Sequence, residues 1–392
     1  MTADRSVVNP RIAPFGTTIF ADMSALAVEL GAVNLGQGFP DTDGPAAVLD
    51  AAVGAIRSGL NQYPPGPGMP VLREAIARHQ ERFYGIDYDA DSEVLVTAGA
   101  TEAIAAAILG LLQPDDEVIV FEPMYDSYQA CIALAGAKVV PVLLRPPHYR
   151  PDLGELRAAV SPRTKAILVN SPHNPTGMIL TDDERREIAS LAAERDLVIL
   201  SDEVYEHLVF DGVRHRSMAE FPGARERTIV VSSGGKTFRT TGWKIGWACG
   251  PANLISAVRA AKQFLTYVNG GPFQPAIALG LQLPNSYFDE VAADLQERRD
   301  QLVPVLRSVG FDVFPTSSTY FVTVDADAID PGADGREFCR RMAREAGVVA
   351  IPNVVFYTDE HKDSGRSLIR FAFCKREAVL AEACKRLGRW RP

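Results

Sequence analysis

Between residues 90 and 250, seven short β-rich runs alternate with helical patterns, and no other feature of the chain narrows the possible folds as far. A parallel strand has to be returned by a crossover over the sheet face. Alternation of this kind therefore spells a mostly parallel sheet with helices on both sides, a three-layer α/β/α arrangement. Strands are expected at 93–97, 117–122, 138–144, 165–170, 197–201, 228–231 and 245–249. Helices fit between most of them: an alanine-rich one at 101–112, a charged amphipathic one at 182–195, and one at 251–267. Thr181 followed by Glu184 is a capping box that starts the second of these.

After Pro284 the pattern changes. A long helix is expected at 287–309, with Glu297-Arg298-Arg299-Asp300 on its solvated face, followed by strands at 311–314, 320–324 and 367–373 around a helix at 336–346. That is a smaller α+β unit. The first forty-odd residues read as irregular, an arm that packs on the smaller unit and reaches a neighbour. The expected division is 1–44 for the arm and part of the small domain, 45–284 for the large domain and 285–392 for the rest of the small one. Such a split suits a chain of 392 residues, beyond the size at which one core keeps growing.

Composition excludes several classes. Forty basic and 49 acidic residues give a formal charge of -9 with no block of one sign, which argues against a nucleic-acid partner. No run approaches the about 20 apolar residues that span a bilayer, and the N-terminus has no basic stretch followed by an apolar one. The five cysteines are odd in number and unpaired in spacing, so neither a disulfide framework nor a zinc ribbon is expected, and a reducing cytoplasm fits best.

Ser232-Ser233-Gly234-Gly235-Lys236-Thr237-Phe238, followed by Thr241-Gly242-Trp243-Lys244-Ile245-Gly246, sets one lysine among small residues with a second cation eight positions on. A lysine that condenses with an aldehyde must be able to deprotonate, and desolvation beside another cation favours that. The second cation suits a phosphate. The alternative is a glycine-rich surface loop with two solvated lysines.

Four further features fall at strand ends, where open α/β sheets bind ligands. Ser171-Pro172-His173-Asn174-Pro175-Thr176-Gly177 makes a rigid turn presenting Asn174. Asp202 precedes Tyr205 by three, so one helical turn would put both on one face. Thr97-Ala98-Gly99-Ala100-Thr101 joins a strand to a helix N-terminus, which binds anions. Arg370 lies inside an apolar strand, where a buried guanidinium needs an anionic partner. Each also has a structural reading: Asp202 as an N-cap, Asn174 as a turn former, Tyr205 and Tyr125 as packed aromatics, Tyr63 as a loop aromatic, Arg370 in an internal ion pair. Asp202, Glu203, Glu206 and His207 with His173 lack the spacing of a metal motif, and a solvated charged turn explains Glu203, Glu206 and His207 equally well; no metal is expected. The glycines do not form G-x-G-x-x-G, which disfavours a dinucleotide.

Taken in order, Asn34-Leu35-Gly36-Gln37-Gly38-Phe39-Pro40, Asn61-Gln62-Tyr63, the turn at 172–177, Asp202-Glu203-Val204-Tyr205, the lysine segment and Ile369-Arg370-Phe371-Ala372-Phe373 resemble the class I/II aminotransferases of pyridoxal-phosphate fold type I. The resemblance covers residues 34–375 and is strongest to the kynurenine and glutamine transaminase and N-succinyldiaminopimelate aminotransferase branch. It implies that Lys236 holds pyridoxal 5′-phosphate as an imine and shuttles the substrate α-proton, with Asp202 paired to the ring nitrogen. It further implies that Tyr205 and Asn174 bond the phenolic oxygen and that Tyr125 stacks on the ring. The phosphate would lie on Ala100, Thr101, Ser233, Lys244 and, across a homodimer, Tyr63. Arg370, Gly38 and Asn174 would hold the substrate. Lys244 stands where much of the wider family has arginine, giving a point charge in place of a planar fork. The expected activity is transfer of an amino group from an L-amino acid, glutamate first, to a 2-oxo acid. A carbon-sulfur β-lyase is the alternative. A cofactor-binding regulator is disfavoured because too few residues precede Asn34 for a helix-turn-helix domain.

Overall fold

Runs such as Glu117–Glu122 and Ile245–Cys249 are buried at every position, as strands covered on both faces must be. The computed structural model describes residues 7–16 and 19–392. The strands in chain order are β1 (Val33–Asn34), β2 (Val94–Ala98), β3 (Glu117–Glu122), β4 (Lys138–Leu143), β5 (Thr164–Asn170), β6 (Val198–Asp202), β7 (Thr228–Ser233) and β8 (Ile245–Cys249). They continue with β9 (Asp312–Val313), β10 (Phe321–Asp325), β11 (Val348–Val349), β12 (Ile351–Pro352) and β13 (Leu368–Ala372).

The central sheet has the order β2-β8-β7-β6-β5-β3-β4, and β8 alone runs antiparallel to its neighbours. This is the expected α/β sheet of fold type I. Alternation along β7 sends Val230 into the apolar cluster on one face, with Val96 and Trp247, and Val231 into the cluster on the other, with Val120 and Ala107. The second sheet, β12-β13-β10-β9, is antiparallel. Val322, Val324, Phe371 and Phe373 form its core together with Ile19 and Met23.

Several expectations are corrected. The N-terminal segment is not irregular throughout, because Ile19–Leu30 is a helix that buries Ile19, Met23 and Ala27. β1 then pairs in parallel with β11 as a separate two-stranded sheet, tying the segment to the chain just ahead of β12. Residues 1–6 and 17–18 of the expected arm lie outside the described residues. The helix expected at 251–267 ends at Lys262, whose ammonium turns back to the carbonyls of Tyr267, at 2.6 Å, and Gly66, at 3.2 Å. Arg299 is not on a solvated face. It is buried against Asp211 and the Thr316 carbonyl, because its long stem can pack while its head finds acceptors. The capping box at Thr181 and Glu184 forms.

The C-terminal ends of β3, β5, β6 and β7 point the same way and deliver Tyr125, Asn170, Asp202 and Ser233 to one cavity.

Candidate active site

That cavity has a volume of about 410 Å³, and Gly38, Ala100, Thr101, Tyr125, Asn174, Asp202, Tyr205, Ser233, Lys236, Lys244 and Arg370 all line it. Tyr63 does not. It is 80 % exposed, with its ring edge-on to Tyr267 at 5.6 Å.

Lys236 sits in the single turn Gly234–Thr237 that follows β7, and Gly234, Gly235 and Thr237 are buried, so the segment is not a solvated loop. A side chain at Gly234 would strike Ile277. Lys236 Nζ donates to the Tyr320 hydroxyl at 3.1 Å. Burial lowers the lysine pKa to about 8; Lys244 and Arg370 push it the same way, while Cys374 and Asp202 oppose them. About a tenth of the amine is therefore neutral at pH 7, far more than an exposed lysine offers.

Above the lysine lies the N-terminus of helix Gly99–Leu111. The N–H groups of Ala100 and Thr101, in its first turn, have no acceptor within the helix, and they carry the positive end of its dipole. Gly246 allows this arrangement. A Cβ there would stand 2.5 Å from the Gly99 carbonyl carbon, so only glycine lets β8 run so close. Lys244, held left-handed at φ +53, brings its ammonium to the same place, near Gly99.

Asp202 ends β6. Its Oδ2 accepts the Tyr128 hydroxyl at 2.6 Å, and its Oδ1 has only a 3.3 Å approach from the Val204 N–H. Burial raises its pKa to about 6 against the lowering effect of Tyr128. The N-cap reading fails because residues 204–207 form a turn and not a helix start. Tyr205 is buried, its ring edge-on to Tyr320 at 5.3 Å, and burial raises its phenol well above the usual range.

On the opposite wall, Arg370 projects from β13. One nitrogen donates to Asn174 Oδ1 at 2.8 Å, while Nε is buried without a partner. Rings enclose the guanidinium: Phe321 at 3.9 Å, Phe356 at 4.8 Å and Phe20 at 5.6 Å. Burial lowers its pKa to about 10. Among the described residues no carboxylate pairs with it, so the internal ion pair is not formed.

The solvated-turn reading of Glu203, Glu206 and His207 is also corrected, since all three are buried. Glu203 binds His215 at 2.9 Å, Tyr84 and Ser232 donate to Glu206, and His207 bonds His79 through the two Nε2 atoms at 2.8 Å. His79, Glu206 and His207 could in principle gather a metal. The two imidazole nitrogens, however, stand closer than ligands about 2.0 Å from one tetrahedral ion would. Hydrogen bonding accounts for the group.

The residues missed from sequence are Tyr128, Tyr320 and Phe321. Tyr128 had a faint signal, three residues after Tyr125 at the start of helix Asp126–Ala135. Tyr320 and Phe321 had none.

The signature of the family described as Aminotransferase class I and II matches residues 31–387. The chain belongs to that family. It is 51 % identical over 386 residues to a probable N-succinyldiaminopimelate aminotransferase of Mycobacterium tuberculosis, covering 96 % of this chain and 97 % of that one. It is 41 % identical to the methionine aminotransferase of Escherichia coli, covering 99 % of both. The solved structure of N-succinyldiaminopimelate aminotransferase from Mycobacterium tuberculosis superposes with a TM-score of 0.94 at 52 % identity, over 98 % of this chain and 99 % of that one. The chain is an aminotransferase, an enzyme that moves an amino group between an amino acid and a 2-oxo acid. Its family employs pyridoxal 5′-phosphate. Among the described residues no helix is long and apolar enough to cross a membrane.

Proposed function

We propose that Lys236 carries pyridoxal 5′-phosphate and that the surrounding residues have the roles implied by the resemblance. The observation that carries this reading is the grouping, in one cavity, of a lysine with a lowered pKa, a carboxylate with an open oxygen, a free helix N-terminus and a buried guanidinium that, among the described residues, has no carboxylate partner. Those are the complements of an aldehyde, a basic ring nitrogen, a phosphate and a substrate carboxylate. The donor set fits the group.

When bound, the cofactor supplies an aldehyde for the substrate amine and a ring that takes up the electron pair left behind by the departing α-proton. Lys236, released by substrate, takes that proton on Nζ and hands it on, a task suited to a base whose pKa lies near the working pH. Asp202 holds a proton at the ring nitrogen through its open Oδ1, while Tyr128 fixes the other oxygen. Tyr205 and Asn174 bond the phenolic oxygen, and Tyr125 packs on the ring face. Ala100, Thr101, Ser233 and Lys244 bind phosphate, joined by Tyr63 of the partner subunit in a homodimer. The exposure of Tyr63, Phe264 and Tyr267 supports that last assignment. Arg370 grips the α-carboxylate by two prongs, with Gly38 and Asn174 beside it.

The division at residues 44 and 284 is supported by the two larger sheets, whose strands fall at 94–249 and 312–372, and by the small β1-β11 sheet, which joins residues 33–34 to 348–349. Five free cysteines support a reducing cytoplasm.

We take N-succinyldiaminopimelate, with glutamate as donor, as the first substrate to test. The relative at 51 % identity supports it, as does a groove of about 1090 Å³ that shares Phe20 and Asp126 with the cavity and is bordered by Arg11 and Arg336, with Lys362 there paired to Asp359. A second reading, methionine or kynurenine, draws on the Phe20, Phe39, Tyr125 and Phe321 rings that line the cavity itself. The relatives named above are transaminases, which favours amino transfer over the β-lyase outcome.

Borohydride reduction followed by peptide mapping tests the lysine, and an adduct away from Lys236 would overturn the reading. A 2-oxo-acid panel, followed by absorbance of the bound cofactor, ranks the substrates. Pyruvate released from cystathionine without an acceptor would turn the assignment to the lyase.

A further inference from the structure

The geometry points to Tyr320 as a positioning residue that aims the released amine of Lys236, through a bond that also ties the lysine to the backbone strap at residues 37–39. This rests on Lys236 being the cofactor lysine. Tyr320 lies just ahead of β10 and is buried, and its hydroxyl donates to the Gly38 carbonyl at 2.6 Å. Having spent its proton there, the oxygen faces Lys236 Nζ as an acceptor, at 3.1 Å.

The direction of that bond matters. A neutral amine has two N–H groups and one lone pair. Donating one N–H to Tyr320 restricts rotation about the last carbon–nitrogen bond and leaves two staggered positions for the lone pair and the second N–H. In the transfer step Nζ would take the proton of the substrate α-carbon on that lone pair and hand it on, with the bound cofactor supplying the sink for the bonding electrons. Tyr320 keeps its own proton on Gly38 throughout. It aims the base without exchanging anything.

The strap is held on both flanks as well. Lys375, buried three residues past the end of β13, donates to the carbonyls of Gln37 at 3.0 Å and Phe39 at 2.9 Å. Three successive carbonyls are thus occupied, and among the described residues the Gly38 N–H has no acceptor. A side chain at Gly38 would collide with Phe321, which fixes how closely the strap lies.

The test compares Tyr320→Phe with Lys375→Met. Tyr320→Phe keeps the ring contacts with Tyr205 and Phe321, and the apoenzyme melting temperature checks the fold. In the apoenzyme, the reaction of Lys236 with acetic anhydride, mapped by mass spectrometry against pH, reports the amine directly. Because a hydroxyl acceptor favours the ammonium, Tyr320→Phe brings the midpoint about 0.7 pH unit lower, making the amine more available. Even so, the single-turnover half-reaction with glutamate slows about tenfold, and its α-deuterium isotope effect rises, because the better base is poorly aimed. Lys375→Met loosens the strap but leaves the Tyr320 hydroxyl beside Lys236, so the acetylation midpoint stays at the wild-type value. An unchanged midpoint in Tyr320→Phe, a half-reaction within twofold of wild type, or an equal midpoint shift in Lys375→Met overturns the proposal. A borohydride adduct away from Lys236 would instead defeat the cofactor assignment beneath it.

Discussion

Asp202 and Glu203 are consecutive, both carboxylates and both buried, yet they face opposite sides of the β6 terminus and behave oppositely. Toward the cavity, Asp202 has one short hydrogen bond and a nearly bare oxygen, and burial wins, lifting its pKa to about 6. Toward the core, Glu203 faces the same burial, but His215, Ser201, Ser217 and the Met218 N–H all donate to it, and its pKa is lowered. The difference lies in the number of donors and not in depth. A saturated carboxylate is part of the fold, whereas one left short of donors is available for a ligand.

The largest test of that distinction removes the group Asp202 serves. Lys236→Ala is expected to lose the imine absorption band and at least about 10⁴-fold in turnover. Retention of both would leave Asp202 without a function. Next come the two carboxylates. Asp202→Asn lowers kcat by about 10³-fold while the apoenzyme melts no earlier than wild type. Glu203→Gln unfolds at lower urea, by about 3 kcal/mol, with kcat nearly intact, because it disturbs a buried charged network. If the two substitutions exchanged their effects, the contrast would be wrong.

pH dependence sharpens the comparison, since the signs are opposite. Asp202 has a folded pKa above its unfolded one, so its charge opposes folding above about pH 6, and that penalty disappears as pH falls toward 3.8. The stability gained by the Asp202→Asn apoenzyme should therefore grow between about pH 4 and 6 to about 2–3 kcal/mol and then level off. Glu203, with a lowered folded pKa, contributes stability that is present above about pH 4.5 and lost as pH falls through its folded value. Urea titrations of both variants against pH give the two slopes directly. The smallest effect belongs to Tyr128→Phe, where loss of one bond to Asp202 should reduce kcat about tenfold without moving the substrate KM, because Tyr128 touches the carboxylate and not the carboxylate site at Arg370.

Much of the sheet was legible from local pattern alone. Strands β3 and β8 run over the expected residues because their apolar runs are uninterrupted, and the predicted cofactor residues other than Tyr63 meet because parallel strands end on one side. What could not be read depends on partners distant in sequence. Glu203 looks solvated until His215 and Ser217 fold back on it. Tyr320 reveals itself only when Lys236, 84 positions earlier, arrives beside it. The helix Ile19–Leu30 escaped notice because Pro10 and Pro14 just before it suggest an irregular segment and it buries only three of its side chains.

Arg370 lies in the middle of β13 and Lys375 three residues past the end of that strand, the first reaching into the cavity and the second fastened to the covering backbone. A swing of the smaller sheet would carry both together. Gripping the acid end of an amino acid and shutting the chamber over it then become a single mechanical event, so a molecule lacking that acid would leave the door ajar.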